Sequence, residues 1–265
     1  MNMDAERRFG GVSRLFGAVA LQRFQAARIC IVGIGGVGSW VAEALARSAV
    51  GRITLIDLDM IAESNVNRQI HAQSGEFGKA KVTAMVERMQ AINPDGQFEA
   101  IEDFVTPENV GDMLGGGFDH VVDAIDQVRT KAAMIAWCHC HRLPIVTTGG
   151  AGGQTDPTKI TIADLSRTIQ DPLLAKVRSL LRKEYGFARD TKKKFGIPAV
   201  YSSEPLRYPV NQDSSGSCEV SRPSSGLNCA GYGSSVCVTA SFGFSVASSV
   251  LHHLAEDLPS SLESG

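Results

Sequence analysis

Two hydrophobic rhythms alternate along the first 150 residues of this chain. Short unbroken apolar runs are followed by stretches in which apolar residues recur every three or four positions. The first run, Arg28-Ile29-Cys30-Ile31-Val32, is β-branched and predicts a strand. It enters Gly33-Ile34-Gly35-Gly36-Val37-Gly38, after which Trp40, Val41, Leu45 and Val50 keep helical spacing. Ile53-Thr54-Leu55-Ile56 then predicts a second strand, ending in Asp57-Leu58-Asp59. Strand, glycine-rich turn, helix and strand make one βαβ unit. Strands that are apolar throughout fit a parallel sheet covered on both faces.

The alternation continues. Helices are predicted over 79–92, 107–114 and 131–141, and strands over 98–101, 120–122 and 144–148. Such alternation implies an α/β fold: a Rossmann-like, doubly wound, mostly parallel sheet. After Gly153 the pattern changes. Residues 159–163 alternate like a strand, 172–185 read as a helix, and 186–235 read as long loops rich in Gly, Ser, Pro and charge. A buried helix is predicted over 236–251. The chain thus divides into a segment 1–27, a nucleotide-binding core 28–153, and a C-terminal extension 154–265 of strands, loops and a buried helix within the same domain.

Charge adds a local feature. Lys plus Arg total 26 and Asp plus Glu total 28, a net charge of −2, which excludes a polycation. Yet residues 176–194 hold Lys176, Arg178, Arg182, Lys183, Arg189, Lys192, Lys193 and Lys194 against only Glu184 and Asp190. A solvated helix face and a phosphate-contacting patch both fit such a run. Residues 223–255 lack charged side chains altogether, but glycines and serines interrupt them, so a buried helix fits better than a membrane span. The six cysteines include no CxxC pair, and free thiols in a reducing cytoplasm are the simplest reading.

The candidate chemistry starts at the glycine loop. Gly33, Gly35, Gly36 and Gly38 have the spacing that lets a phosphate approach backbone N–H groups at a helix N-terminus. Asp57, at the end of the second strand, is placed to accept from ribose hydroxyls. That much fits a nicotinamide enzyme as well. The next segment, Ser64-Asn65-Val66-Asn67-Arg68-Gln69 followed by Gly78-Lys79-Ala80-Lys81, adds cations beside the loop. A dinucleotide needs only neutral donors, whereas a triphosphate and a departing pyrophosphate call for Arg and Lys. Asp126, at the end of a later strand, is a candidate Mg²⁺ ligand.

In this order the glycine loop, Asp57-x-Asp59, Ser64-Asn65-x-Asn67-Arg68-Gln69, Lys81 and Asp126 resemble the E1-like adenylating enzymes. The resemblance implies carboxylate adenylation with Mg-ATP in a homodimer. It implies that the glycines, Asp57, Asp59, Ser64, Asn65 and Asn67 contact ATP, that Arg68 and Lys81 meet the phosphates, and that Asp126 holds the metal. It also implies an N-terminal arginine reaching the partner subunit's ATP, with Arg14 the first candidate and Arg8 the second. The segments 147–157, 168–173 and 239–244, with 8–11 and 103–107, resemble the tRNA-modifying branch of this family. That branch dehydrates threonylcarbamoyladenosine at position 37 of tRNA to a cyclic form. By this resemblance tRNA is the partner, with Arg182, Lys183, Lys192, Lys193 and Lys194 as candidate contacts.

A cysteine desulfurase and its sulfur-acceptor protein are further expected partners. Cys229 is the candidate sulfur acceptor for such a relay, although a small buried hydrophobe at a helix start is the favoured reading of it. The alternative within the family is an activator of a sulfur-carrier protein. Many of those carry paired CxxC motifs for zinc. Here Cys138-His139-Cys140-His141 is the only close cluster, and its spacing suits helical packing better than tetrahedral zinc. A non-catalytic ATP-binding scaffold is the remaining reading.

Overall fold

The computed structural model describes residues 3–208, 210–212, 218–220 and 232–256. Two helices, α1 (Met3–Phe16) and α2 (Ala18–Ala26), precede β1 (Arg28–Val32). The chain continues through α3 (Gly38–Arg47), β2 (Arg52–Ile56), α4 (Lys81–Ile92), β3 (Gln97–Ile101) and α5 (Val110–Leu114). Then follow β4 (His120–Asp123), α6 (Val128–His141), β5 (Ile145–Thr148), β6 (Ile160–Asp164), α7 (Pro172–Glu184) and β7 (Pro198–Ser202). A short antiparallel pair, β8 (Val210–Gln212) and β9 (Cys218–Val220), leads to the long helix α8 (Val236–Glu256).

The main sheet has seven strands in the order β3-β2-β1-β4-β5-β7-β6. All neighbours are parallel except β6 and β7. The strand order reverses between β1 and β4, and the crevice beyond that switch point is where such sheets bind ligands. Alternation along each strand feeds two cores. Ile29, Ile31, Ile53, Leu55 and Val122 pack under α2, α3, α4 and α8. Cys30, Val32, Ile56, Val121 and Ile145 pack under α5, α6 and α7. This is the period-2 geometry of a strand buried on both sides.

The predicted elements of the first 150 residues are all present, with ends shifted by a few residues. Three strands depart from the loop reading of 186–235: the short pair β8 and β9, and β7 in the main sheet. Pro198-Ala199-Val200-Tyr201-Ser202 forms β7, which lies inside the sheet between β5 and β6. Its run is only five residues long and sits among Gly, Ser and Lys, which hid it. Pro198 stands at its first residue, where a missing N–H is tolerated. The segment before residue 28, for which the sequence reading named no elements, is almost wholly helical over its described residues.

Among the described residues, α8 is the one helix long and apolar enough to span a membrane. Val238, Phe242, Val246 and Val250 on it are fully buried in the first core, as the buried-helix reading expected. In the Cys138–His141 cluster, Cys138 is buried and Cys140 exposed, while His141 stacks on Trp137 with ring centroids 4.0 Å apart. The cluster is thus divided between the core and the helix surface.

Candidate functional site

A cleft of about 390 Å³ opens at the carboxyl ends of β1, β2, β4 and β5. Its floor is the glycine loop. Gly33 has φ +89°, a conformation that favours glycine, and a Cβ there would meet Ile125 and Ala124 at about 3.0 Å. Gly38 is tighter still, because a Cβ would lie 1.8 Å from the Gly33 carbonyl oxygen. These glycines let α3 begin directly against the turn. No side chain caps the N-terminus of α3, and its Ser39 and Trp40 N–H groups donate to the Gly35 and Val37 carbonyls at 3.2 and 3.0 Å, so a phosphate would meet the amides of the glycine loop ahead of them.

Asp57 ties the loop to β2. One carboxylate oxygen accepts from the Ile34 N–H at 2.6 Å and the other from the Asp59 N–H at 2.8 Å. Lys81, buried at the start of α4, donates to the Asp59 carboxylate at 2.7 Å. Arg68 lines the same cleft, its guanidinium donating to the Ser64 carbonyl at 2.7 Å and to Asn67 Oδ1 at 2.9 Å. The Arg68 carbonyl accepts from the Trp40 indole N–H at 3.0 Å. Asp126 lies across the cleft, its carboxylate exposed.

The glycines at 33, 35 and 36 therefore share one cleft with Asp57, Asp59, Arg68, Lys81 and Asp126, while Gly38 starts the helix behind them. Ser64, Asn65 and Asn67 do not line it. Asn65 is buried and its Oδ1 accepts from the Ala62 N–H at 3.0 Å, while Asn67 Nδ2 donates to the Ser234 carbonyl at 3.2 Å. The Ser64 carbonyl and Asn67 Oδ1 accept from the Arg68 guanidinium and so aim it. Arg8 and Arg14 also lie away from the cleft of their own chain. Arg8 donates to the carbonyls of Ala91 and Ile92 at the end of α4, at 3.4 and 3.2 Å. Cys229 falls outside the described residues.

The sequence reading took 147–157, 168–173 and 103–107 as marks of the tRNA-modifying branch but did not assign the far wall of the cleft to them. Thr148, Gly149, Gly150, Ala151 and Leu173 close that side, and Asp103, Phe104 and Val105 close another. Nor did it single out the charged residues beneath that wall. Lys131 and Asp123 form a fully buried ion pair at 2.9 Å, and Thr147 Oγ1 donates to the same carboxylate at 2.6 Å. Burial pushes the Asp123 carboxyl above its ordinary range, while Lys131 and Thr147 work against that rise. Burial raises Asp171 likewise, against hydrogen bonds from the Leu174 and Gly150 amides.

The basic segment is a separate surface. Lys183, Lys192, Lys193 and Lys194 are exposed on α7 and the following loop. Arg182 is half-engaged in packing: its Nε donates to the Ala188 carbonyl at 3.2 Å, and its guanidinium lies 5.3 Å from the Phe195 ring centroid. The Asp164 carboxylate pins the end of this loop, accepting from the N–H groups of Phe195 at 2.9 Å and Gly196 at 2.7 Å.

Residues 11–261 match the ThiF family, nearly the whole chain. The chain belongs to the ThiF family. It is 52% identical over 250 residues to the tRNA threonylcarbamoyladenosine dehydratase of Haemophilus influenzae, covering 94% of each protein. It is similar in structure to the Escherichia coli tRNA N6-threonylcarbamoyladenosine dehydratase crystallised with ATP. There the TM-score is 0.86 and the identity 47%, with 96% of each chain covered. The crystal structure of the same bacterial enzyme with AMP gives a TM-score of 0.85, again at 47% identity and 96% coverage of each chain. The E1-like resemblance and the α/β fold read from the sequence agree with these likenesses.

Proposed function

We propose that this chain is an ATP-dependent tRNA threonylcarbamoyladenosine dehydratase. The observation that carries this reading is the single cleft in which a glycine loop, Asp57, Arg68, Lys81 and Asp126 converge. Near-full-length similarity to dehydratases supports tRNA as the substrate, rather than a sulfur-carrier protein. The threonine carboxylate of the modified adenosine attacks the α-phosphate of ATP, and pyrophosphate leaves. A nitrogen of the same side chain then attacks the activated carbonyl, a five-membered ring closes and AMP leaves. Because that closure is intramolecular, its effective molarity is high. The net change is loss of one water from the nucleoside.

The residues divide this work. The N–H groups of the glycine loop and α3 cradle phosphate oxygens, and Asp57 takes the ribose. Lys81 and Arg68 stand where negative charge accumulates as pyrophosphate departs. Lys81 is held by Asp59 until a phosphate competes for it. Asp126 suits Mg²⁺, because its carboxylate is a hard oxygen donor with no hydrogen-bonding protein partner among the described residues. Mg²⁺ held there would neutralise phosphate charge.

In the homodimer, Arg14 of one subunit serves the cleft of the other, and the exposed position of α1 outside its own cleft is compatible with that. The lysines of the basic loop contact tRNA phosphates. Cys229 accepts sulfur from a desulfurase relay, an activity separable from cyclisation. The free thiols of Cys30, Cys138, Cys140 and Cys237 suit a reducing cytoplasm. The test is to incubate the purified chain with Mg-ATP and tRNA carrying threonylcarbamoyladenosine. A nucleoside lighter by one water, with AMP and pyrophosphate formed, is expected; an unchanged nucleoside overturns the proposal.

A further inference from the structure

A charged pair lies beneath the wall of the cleft where an apolar pair would fit. Lys131 is fully buried on α6, whose other buried residues are, apart from Thr130, apolar: Ala132, Met134, Ile135 and Cys138 among them. A buried ion pair is weak evidence for stability, since a well-packed hydrophobic replacement is often as stable or more so. What the pair does locally is more telling. The Lys131 ammonium donates to the Asp123 carboxylate at 2.9 Å and to the Asp123 carbonyl at 3.3 Å. Asp123 is the last residue of β4, and the next three residues, Ala124, Ile125 and Asp126, line the cleft. The Ile125 N–H points back at the Asp123 carboxylate at 3.4 Å, which curls that turn.

The same carboxylate fastens the neighbouring strand. Thr147 Oγ1 donates to it at 2.6 Å, and Thr148 Oγ1 donates to the Asp123 carbonyl at 3.3 Å. From there β5 runs into Gly149 and Gly150. Asp171 holds that turn from the other side, accepting from the Gly150 N–H at 2.9 Å while capping α7 through the Leu174 N–H at 2.8 Å. Gly149 is pressed so closely on it that a Cβ would lie 2.0 Å from Asp171 Oδ2. Two segments of the far wall therefore hang on one buried cation and the carboxylate it touches, and Asp171 ties in the third.

We infer that Lys131 is a positioning residue: acting through Asp123, it fixes the turn that carries Asp126 and the adjoining wall at Thr147–Thr148. The inference rests on the proposed reading of Asp126 as the metal-facing carboxylate. It places the control of metal affinity in a residue that touches neither metal nor nucleotide. Outer partners of a metal ligand typically matter by about 10- to 100-fold in metal affinity or activity.

The experiment compares Lys131→Met, Lys131→Arg and Asp126→Asn in the full chain. Three quantities are read: the Mg²⁺ midpoint of ATP–pyrophosphate exchange with modified tRNA, AMP affinity without metal, and backbone amide exchange. Lys131→Met should raise the Mg²⁺ midpoint about tenfold. It should speed amide exchange over 124–127 and 147–150, and leave AMP affinity within about twofold. Lys131→Arg should recover part of the midpoint shift. Should the Met variant fail to fold, the Arg variant decides alone, with a raised midpoint and faster exchange at 124–127 expected. A lowered melting temperature with unchanged midpoint and unchanged local exchange overturns the inference. So does a fall in AMP affinity equal to the change in midpoint. An unaltered midpoint in Asp126→Asn instead overturns the metal reading of Asp126, and the amide-exchange result then decides the role of Lys131 by itself.

Discussion

The two ends of the parallel sheet carry two hollows of opposite character. At the carboxyl ends of the strands lies the cleft of about 390 Å³, lined by Asp57, Asp59, Arg68, Lys81 and Asp126. At the other end, where β4 and β5 begin, lies a wider groove of about 840 Å³, lined among others by His120, Cys138, Ile145, His252 and His253. The groove is larger and richer in residue types that catalyse reactions elsewhere. Yet burial pushes His120 down to about 3 and Cys138 up to about 12. At neutral pH His120 is an uncharged packing group and the Cys138 thiol is protonated and inert. The smaller hollow is the proposed reactive site, because Asp57, Asp59, Arg68, Lys81 and Asp126 converge there around the glycine loop at the strand carboxyl ends.

That contrast can be broken at either end. The largest effect is expected at Gly38→Val, because even a Cβ would sit 1.8 Å from the Gly33 carbonyl oxygen. α3 must then move away from the loop, and AMP binding measured by calorimetry should vanish. Lys81→Ala comes next, with turnover reduced about 10²- to 10³-fold, the range for removing one preorganised electrostatic contact. Its partner Asp59 is exposed, so the melting temperature should change little. Neutralising Lys192, Lys193 and Lys194 together should weaken tRNA binding and lower its salt slope by up to about three, leaving AMP affinity unchanged.

The smallest effect belongs to the groove. Burial depresses the folded pKa of His120 to about 3 from its ordinary 6.5, so it binds a proton more readily when unfolded. Its contribution is therefore fully present above about pH 6.5 and is lost as pH falls toward 3. His120→Gln should remove about 2 kcal/mol of the stability lost between pH 7 and pH 5, read by denaturant unfolding. Turnover at neutral pH should be unaffected.

The phosphate side of the cleft was legible because its determinants are local. A glycine spacing, a strand-end Asp57 and two cations within fifty residues of the loop are visible in one dimension. The far wall was legible only as family-like segments at 147–157 and 168–173 and not as part of the cleft, because its parts near 124, 149 and 173 meet only through sheet order. Lys131 read as the first residue of an ordinary helix, and nothing in its spacing announced Asp123 eight residues earlier as its partner. Ser64, Asn65 and Asn67 show the converse. Their types suit a nucleotide, but Asn65 is buried in the loop, and the exposed Ser64 and Asn67 accept from the Arg68 guanidinium. β7 stayed hidden because five residues of apolar sequence within a polar, basic stretch carry little periodic signal.

The most direct test of the account is nucleoside mass analysis after one turnover. The chain, Mg-ATP and tRNA bearing threonylcarbamoyladenosine should yield a nucleoside lighter by one water, together with one AMP per cyclised residue. Lys81→Ala should slow both in step. AMP formed without any change in nucleoside mass, or cyclisation without AMP, would contradict it.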